Sequence, residues 1–303
     1  MSQWRFAVCA PALERAAGTA AVLASHRVKA IEAGPAFFLA AGPAELRAAG
    51  DALRAEGIEL RSVHAPFRGE WQLAEADETR RPLMLEYFRR FLGAVSTAGG
   101  RIVVLHAGAR TPAAEQPAAL DRAFDALAEL APMAGDLGLT LALENLPLEW
   151  PGSNPADLAA RAAALNHRAV GLCLDTGHAH LTTGVAAALA AMGPHIVTFH
   201  VHDNDGRSDI HLAPPFGTID WGAFVAGVEA LGWDEPLTLE CSPWGDELIA
   251  GGPGLEADYS RLIDTTRELL DGWSARLGIA RRERAADPSW HHRANLPHAA
   301  DLR

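Results

Sequence analysis

Short apolar runs alternate with Ala-, Leu-, Arg- and Glu-rich stretches along most of this chain. The runs predict strands at 4–10, 28–33, 58–64, 101–107, 139–145, 170–175, 196–202 and 236–241. They are continuously rich in Val, Ile and Leu, the pattern of strands buried on both faces of a parallel sheet. The stretches between and after them, 11–25, 43–56, 77–99, 113–137, 155–166, 183–193, 221–232 and 254–276, space their apolar residues at helical period. Pro11, Asn154-Pro155 and Asp220 are helix-starting signals. Gly57, Gly100, Gly138 and Gly232 are placed to close helices in the left-handed conformation.

Eight strands alternating with eight helices predict an α/β fold, a (β/α)8 TIM barrel, as a single domain over 1–276. A doubly wound sheet would place ligands only at its switch point, whereas polar residues end six of the eight runs here. Residues 277–303 are polar, mixed in charge and without a clear period. They predict a C-terminal tail that packs on the barrel, stays mobile or touches a second copy in a homo-oligomer. Its His291-His292 pair is assigned to that tail rather than to a metal site.

What breaks the apolar pattern is the end of each run. SVHAPF places His64 there, RIVVLHAG His106, LTLALENL Glu144 and AVGLCLDTGH Asp175 and His178. IVTFHVHDN places His200 and His202, SDIH Asp209 and His211, and PLTLECS Glu240. Burying so many unpaired charges costs several kcal/mol each, on the order of the penalties for isolated buried ions. In a barrel these ends converge on one mouth, where imidazole and carboxylate are ligands for Zn²⁺ or Mn²⁺. The set exceeds what one ion can use, so two or three ions bridged by a carboxylate such as Glu144 fit it, and the expected range is one to three. His202 alternates away from His200 along a strand and is expected to be structural or to support a ligand. His180 and His195 are read as ordinary surface or capping residues.

Composition narrows the partners. A net charge of −12 argues against a nucleic-acid partner, which demands a basic footprint. No run approaches a membrane span, and the N-terminus lacks a signal-peptide pattern, so a cytoplasmic location is expected. Lys29 is the single lysine and sits near the start of a strand, which excludes Schiff-base chemistry at the mouth. Cys9, Cys173 and Cys241 lack the spacing of a zinc knuckle or disulfide framework and read as small buried hydrophobes. Cys241, beside Glu240, is the candidate to line a site.

The order HAP, LHAG, LEN, LDTGH, DIH, Gly-Thr-Ile-Asp-Trp (217–221) and LE resembles the xylose isomerase-like TIM barrel superfamily over roughly residues 4–275. That group includes sugar isomerases and epimerases, inosose dehydratases and endonuclease IV-type phosphodiesterases. The resemblance implies that Glu144, Asp175, His200 and Glu240 are the metal ligands of the epimerase branch, with Glu144 and Glu240 as its acid/base pair. It also implies a substrate contact for His178 in that branch. In the endonuclease IV branch the same nine positions, His64, His106, Glu144, Asp175, His178, His200, Asp209, His211 and Glu240, hold three zinc ions. The DIH element departs from the best-known epimerases and dehydratases, which carry an arginine there.

Two reaction classes follow. The first, and the one expected, is a metal-dependent isomerase, epimerase or related lyase acting on a small polyhydroxylated carbonyl compound. Two carboxylates on opposite sides of the substrate would shuttle its proton. Phe67, Trp71, Trp150, Phe216 and Trp244 would wall the pocket. The second is a phosphoesterase with two or three ions acting on a small phosphodiester rather than DNA. Arg68, Arg110 and Arg207 would then grip phosphate.

Overall fold

The computed structural model describes residues 4–10, 20–67, 71–241 and 255–279. Its strands are β1 (Phe6–Ala10), β2 (Ala30–Ala33), β3 (Glu59–His64), β4 (Ile102–Leu105), β5 (Thr140–Glu144), β6 (Val170–Asp175), β7 (Ile196–Val201) and β8 (Leu237–Leu239). Each pairs in parallel with the next, and β8 returns to β1, so the sheet closes into a barrel in strict chain order. Every strand lies within its predicted run.

Alternation along these strands builds two cores. Residues of one parity, such as Leu141, Leu143, Leu172 and Leu174, face the helices and join the large apolar layer between barrel and helices. Those of the other parity fill the barrel interior, where Ile102, Val104, Ala142 and Cys173 form a small apolar plug. Two residues further along the same strands stand His106, Glu144 and Asp175, so the plug is the floor of the mouth. Burying a Leu or Val side chain stabilises the fold by roughly 1.5–3 kcal/mol, and this floor keeps the polar layer above it in register.

Helix boundaries follow local chemistry. Asn154 and Asp220 accept hydrogen bonds from the Ala156 and Ala223 amides, each at 3.0 Å, capping helices Pro155–Leu165 and Trp221–Ala230. Gly57, Gly138 and Gly232 have positive φ as expected. Gly99, not Gly100, takes that role after helix Arg81–Ala98, with φ 86°. The helix ends one residue earlier than the sequence pattern predicts.

The structure adds two short helices that the periodicity does not reveal, Ala36–Ala40 and Thr176–His180. The second is one turn and a half, too short to carry a period. Among the described residues, no helix is long and apolar enough to cross a membrane. Pro11, Arg68, Trp244 and the tail from residue 280 onward lie outside the described residues.

Candidate metal centre

The sequence-predicted ligands, joined by His202, come together as three sets of donor atoms, each set within 4.8 Å: His64, His106 and Glu144; Glu144, Asp175, His200 and Glu240; and His178, His202, Asp209 and His211. Glu144 belongs to two of them. Sheet register accounts for part of this, since Asp175 on β6 pairs directly with His200 on β7.

Glu144 is the hub. Its Oε2 lies 3.1 Å from His106 Nε2 and 3.5 Å from His64 Nε2. Its Oε1 lies 3.1 Å from His200 Nδ1 and 3.4 Å from His178 Nδ1. The edge of a tetrahedron around an ion with bonds of about 2.1 Å is about 3.4 Å, so His64 and His106 on one oxygen and His200 on the other are spaced as ligands that Glu144 could share, whereas His178 Nδ1 is taken by the Asn145 carbonyl.

The imidazoles are oriented from behind. A carbonyl only accepts, so a ring nitrogen facing one must carry the proton. His64 Nδ1 donates to Ala65 O at 2.7 Å, His178 Nδ1 to Asn145 O at 2.9 Å and His211 Nδ1 to Glu240 O at 2.9 Å. His202 Nδ1 faces its neighbour's carbonyl, Asp203 O, at 3.4 Å. In each case Nε2 is left toward a carboxylate: Glu144 for His64, Asp209 for His178 and His211, and Asp175 for His202. This is how metal-binding histidines are held elsewhere. His200 is reversed, with Nδ1 toward Glu144 and Glu240 and Nε2 toward Glu32.

The loop that carries Asp209 and His211 is pinned by Asp203. This buried carboxylate accepts from the amides of Asn204 (2.9 Å) and Ile219 (3.1 Å) and from Trp221 Nε1 (2.9 Å). A Cβ on Gly217 would stand 2.2 Å from Asp203 Oδ1, so the Gly-Thr-Ile-Asp-Trp segment needs glycine there. His211 sits at φ 45°, in the left-handed region that histidine enters rarely.

His202, expected to support a ligand, does contact one candidate, Asp175, while also joining a donor set of its own. It follows the last residue of β7, where alternation no longer applies, and its Nε2 reaches Asp175 Oδ2 at 3.0 Å. Its ring stacks on His211 at 3.8 Å between centroids. Gly177 makes room, because a Cβ there would lie 1.9 Å from His202 Cε1. We therefore expect Gly177→Ala to displace the His202 ring and cost about 1–3 kcal/mol of stability by overpacking. Thermal melts and zinc stoichiometry check this, and an unaltered zinc content would remove His202 from the set.

Electrostatics reflect the crowding. Burial disfavours the His178 imidazolium, but Asp175, Asp209 and Glu144 overcome it and raise its pKa well above the ordinary value. His200 is likewise raised against burial, by Cys173, Glu240, Glu32 and Glu144. His211 rises to about 9, burial being outweighed first by its hydrogen bond with Asp209 and then by the charge of Glu240. Glu144, Glu240 and Asp209 are held below the usual carboxylate range although burial pushes them up, chiefly by the histidines around them. His64 and His106 share Glu144 Oε2 yet move oppositely. His64 rises against burial, whereas burial wins at His106, which His64 and His178 also repel.

Cys9 with Glu32 and Glu240, and Cys173 with Glu144 and His200, form two further groups of potential donors. Burial raises both thiol pKa values, so both are thiols in the metal-free chain. The Cys241 thiol donates to Val201 O at 3.1 Å.

The remaining predicted residues divide. Phe67 lies 5.0 Å from His64 and 4.6 Å from His106 between ring centroids, and Trp150 meets His106 edge-on at 6.2 Å, so both wall the mouth. Trp71 instead stacks on Tyr87 of helix Arg81–Ala98. Arg110 pairs with Glu149 at 2.6 Å on the exposed rim. Phe216 is exposed on the loop after β7, and the Arg207 amide closes a turn on Asp205. Glu32 is the residue that sequence reasoning missed. An acidic residue inside the apolar run VKAIEA was its signal, overlooked because it is not the last residue of the run.

A family model described as xylose isomerase-like TIM barrel matches residues 20–269. The uncharacterized protein MJ1311 of Methanocaldococcus jannaschii is 29% identical over 186 residues, 59% of this chain and 63% of that protein. The chain therefore spans less than two thirds of that relative's length. A second uncharacterized protein of that organism, MJ1614, is 24% identical over 218 residues, 71% of this chain and 82% of that one. Among solved structures, a D-tagatose 3-epimerase-like protein matches with a TM-score of 0.70 at 21% identity, covering 92% of this chain and 98% of that one. The IolI protein with a bound zinc atom matches with a TM-score of 0.71 at 18% identity, covering 90% and 99%. These structural likenesses establish the shared barrel fold.

Proposed function

The chain belongs to the xylose isomerase-like TIM barrel family, and from that premise and the geometry of the mouth we propose that it is a metal-dependent phosphoesterase acting on a small phosphoester. The observation that carries this reading is the position of Glu144. Its two oxygens face four imidazoles, those of His64, His106, His178 and His200, and its side chain is 1% exposed. Such a carboxylate could be shared between neighbouring ions if the site were loaded. It is poorly placed to lift a proton from carbon, because both of its oxygens are engaged by imidazoles.

The donor sets fit Zn²⁺ or Mn²⁺ in chemistry and spacing. Divalent ions held by these residues would supply Lewis-acid chemistry: polarisation of a phosphoryl oxygen and activation of water. The chain's own residues do the positioning. Ala65, Asn145 and Glu240 carbonyls hold the rings of His64, His178 and His211, and Asp203 anchors the loop bearing Asp209 and His211. Phe67 and Trp150 exclude water from one side. Glu240, with its side chain 24% exposed, is the carboxylate of its set that a substrate could reach. The net charge of −12 points to a small phosphoester in preference to a polynucleotide.

A second reading, the sugar isomerase or epimerase, is favoured by the set Glu144, Asp175, His200 and Glu240, which by itself suits one ion flanked by two carboxylates. Solved structures with this fold include a D-psicose 3-epimerase and an L-ribulose 3-epimerase. One comparison separates the classes. Zinc- or manganese-loaded protein is expected to release nitrophenol from a bis-aryl phosphodiester and to leave the carbon-bound hydrogens of a ketose panel unexchanged in D₂O. Deuterium exchange without nitrophenol release would overturn the hydrolase and establish the isomerase.

A further inference from the structure

Glu32, on β2, reaches into the barrel interior behind the metal centre and is 2% exposed. Its oxygens lie 3.0 and 3.1 Å from His200 Nε2. Ser62 Oγ donates to Oε2 at 2.7 Å, and the Cys9 thiol approaches Oε1 at 3.6 Å. Residues from β1, β2, β3 and β7 thus meet at one buried carboxylate that lies outside the three ligand sets and is otherwise grouped only with Cys9 and Glu240.

His64, His178, His202 and His211 are backed by neutral carbonyls, and a carbonyl is a weaker acceptor than a carboxylate. His200 is backed by a charged group, and through the opposite ring nitrogen. We propose that Glu32 is a positioning residue that holds the proton of His200 on Nε2, so that Nδ1 is the ligating nitrogen, and that its charge strengthens the Glu144–Asp175–His200–Glu240 site. Ser62 supports it by fixing the carboxylate. The inference rests on the metal-centre reading of His200 and goes beyond it, since it assigns His200 a tautomer opposite to its neighbours' and gives Glu32 a task.

The test uses the full chain with zinc as the probe. Zinc affinity is measured by chelator competition in wild type, Glu32→Gln and Glu32→Leu, and protein labelled with ¹⁵N-histidine is examined by NMR. Wild type is expected to show one zinc-bound ring with Nδ1 ligated and Nε2 protonated, against others of the reverse pattern. Glu32→Gln, which retains an acceptor but not the charge, should keep that ring pattern and weaken zinc binding about 10-fold. Glu32→Leu should lose the pattern and weaken binding about 100-fold, the range for residues that orient metal ligands.

Affinities within about twofold of wild type and an unchanged ring pattern in both variants would overturn the proposal. So would loss of one whole zinc equivalent from Glu32→Gln with the rest bound normally, because Glu32 would then be a ligand itself. If Glu32 variants do not fold, Ser62→Ala takes their place. A smaller loss of affinity supports the proposal and an unchanged affinity overturns it. A wild-type protein that takes up no zinc would instead remove the metal centre, an outcome seen before any variant is made.

Discussion

Replacing Glu144 by glutamine is expected to lower turnover by about three orders of magnitude or more and to reduce the zinc bound per chain. An ion in such a site contributes several kcal/mol of charge stabilisation in the transition state, and each 1.4 kcal/mol is about tenfold in rate. Glutamine is nearly isosteric but neutral, and it offers one acceptor oxygen where the carboxylate offers two. It cannot serve His64 and His106 on one side and His178 and His200 on the other. Removing one partner of a buried charged cluster typically destabilises by about 3–5 kcal/mol. Part of this is relieved here, because the imidazoles can release their protons. Circular dichroism should show an intact barrel, zinc analysis fewer ions, and the phosphodiester assay almost no product. Retention of near wild-type zinc and turnover would eliminate Glu144 as the bridge.

The second large effect is a steep dependence of metal binding on pH. Each imidazole that must lose a proton before it binds metal adds up to roughly tenfold in affinity per pH unit below its pKa. His178 and His200 are raised well above their ordinary value, and His211 is raised from 6.5 to about 9. Zinc affinity should therefore climb between about pH 6 and pH 9, with protons released on binding.

Stability of the metal-free chain moves the other way. Folding raises the His211 pKa, so the stabilisation from its protonated form is complete below 6.5 and is lost as the pH rises through about 9. Glu144, Glu240 and Asp209 are depressed, so their contribution is present above the usual carboxylate range and is lost in acid. The gap in melting temperature between zinc-loaded and metal-free protein should widen from about pH 6 to pH 9. Calorimetry at both values decides it, and a constant or narrowing gap contradicts the assignment of these imidazoles as ligands.

The eight strands were legible because burial on both faces forces continuous apolar runs, and a histidine or carboxylate at the end of such a run has few structural explanations. Glu144, Asp175, His200 and Glu240 stand out in the chain for that reason. Other residues were not legible. Glu32 carries the same signal within its run, but what it faces depends on strand parity together with the closure that brings β7 across from β2. His202 followed alternation until the strand ended at Val201, and the point where a strand stops is set by tertiary pairing. Trp71 suits both a pocket wall and loop packing by its sequence position, and only the fold sets it against Tyr87. Gly99 and Gly100 are adjacent, and only the length of the preceding helix selects between them.

By itself, the sequence determined the barrel, the family and the identity of the metal-ligand candidates, because period, apolar runs and residue chemistry are local properties of the chain. The tertiary structure decided how those candidates divide: which face Glu144, which imidazole faces Glu32, and where Gly177 makes room for His202. These are distances between residues on different strands, and they are set only when the eight strands close into a ring and bring the strand ends to one mouth.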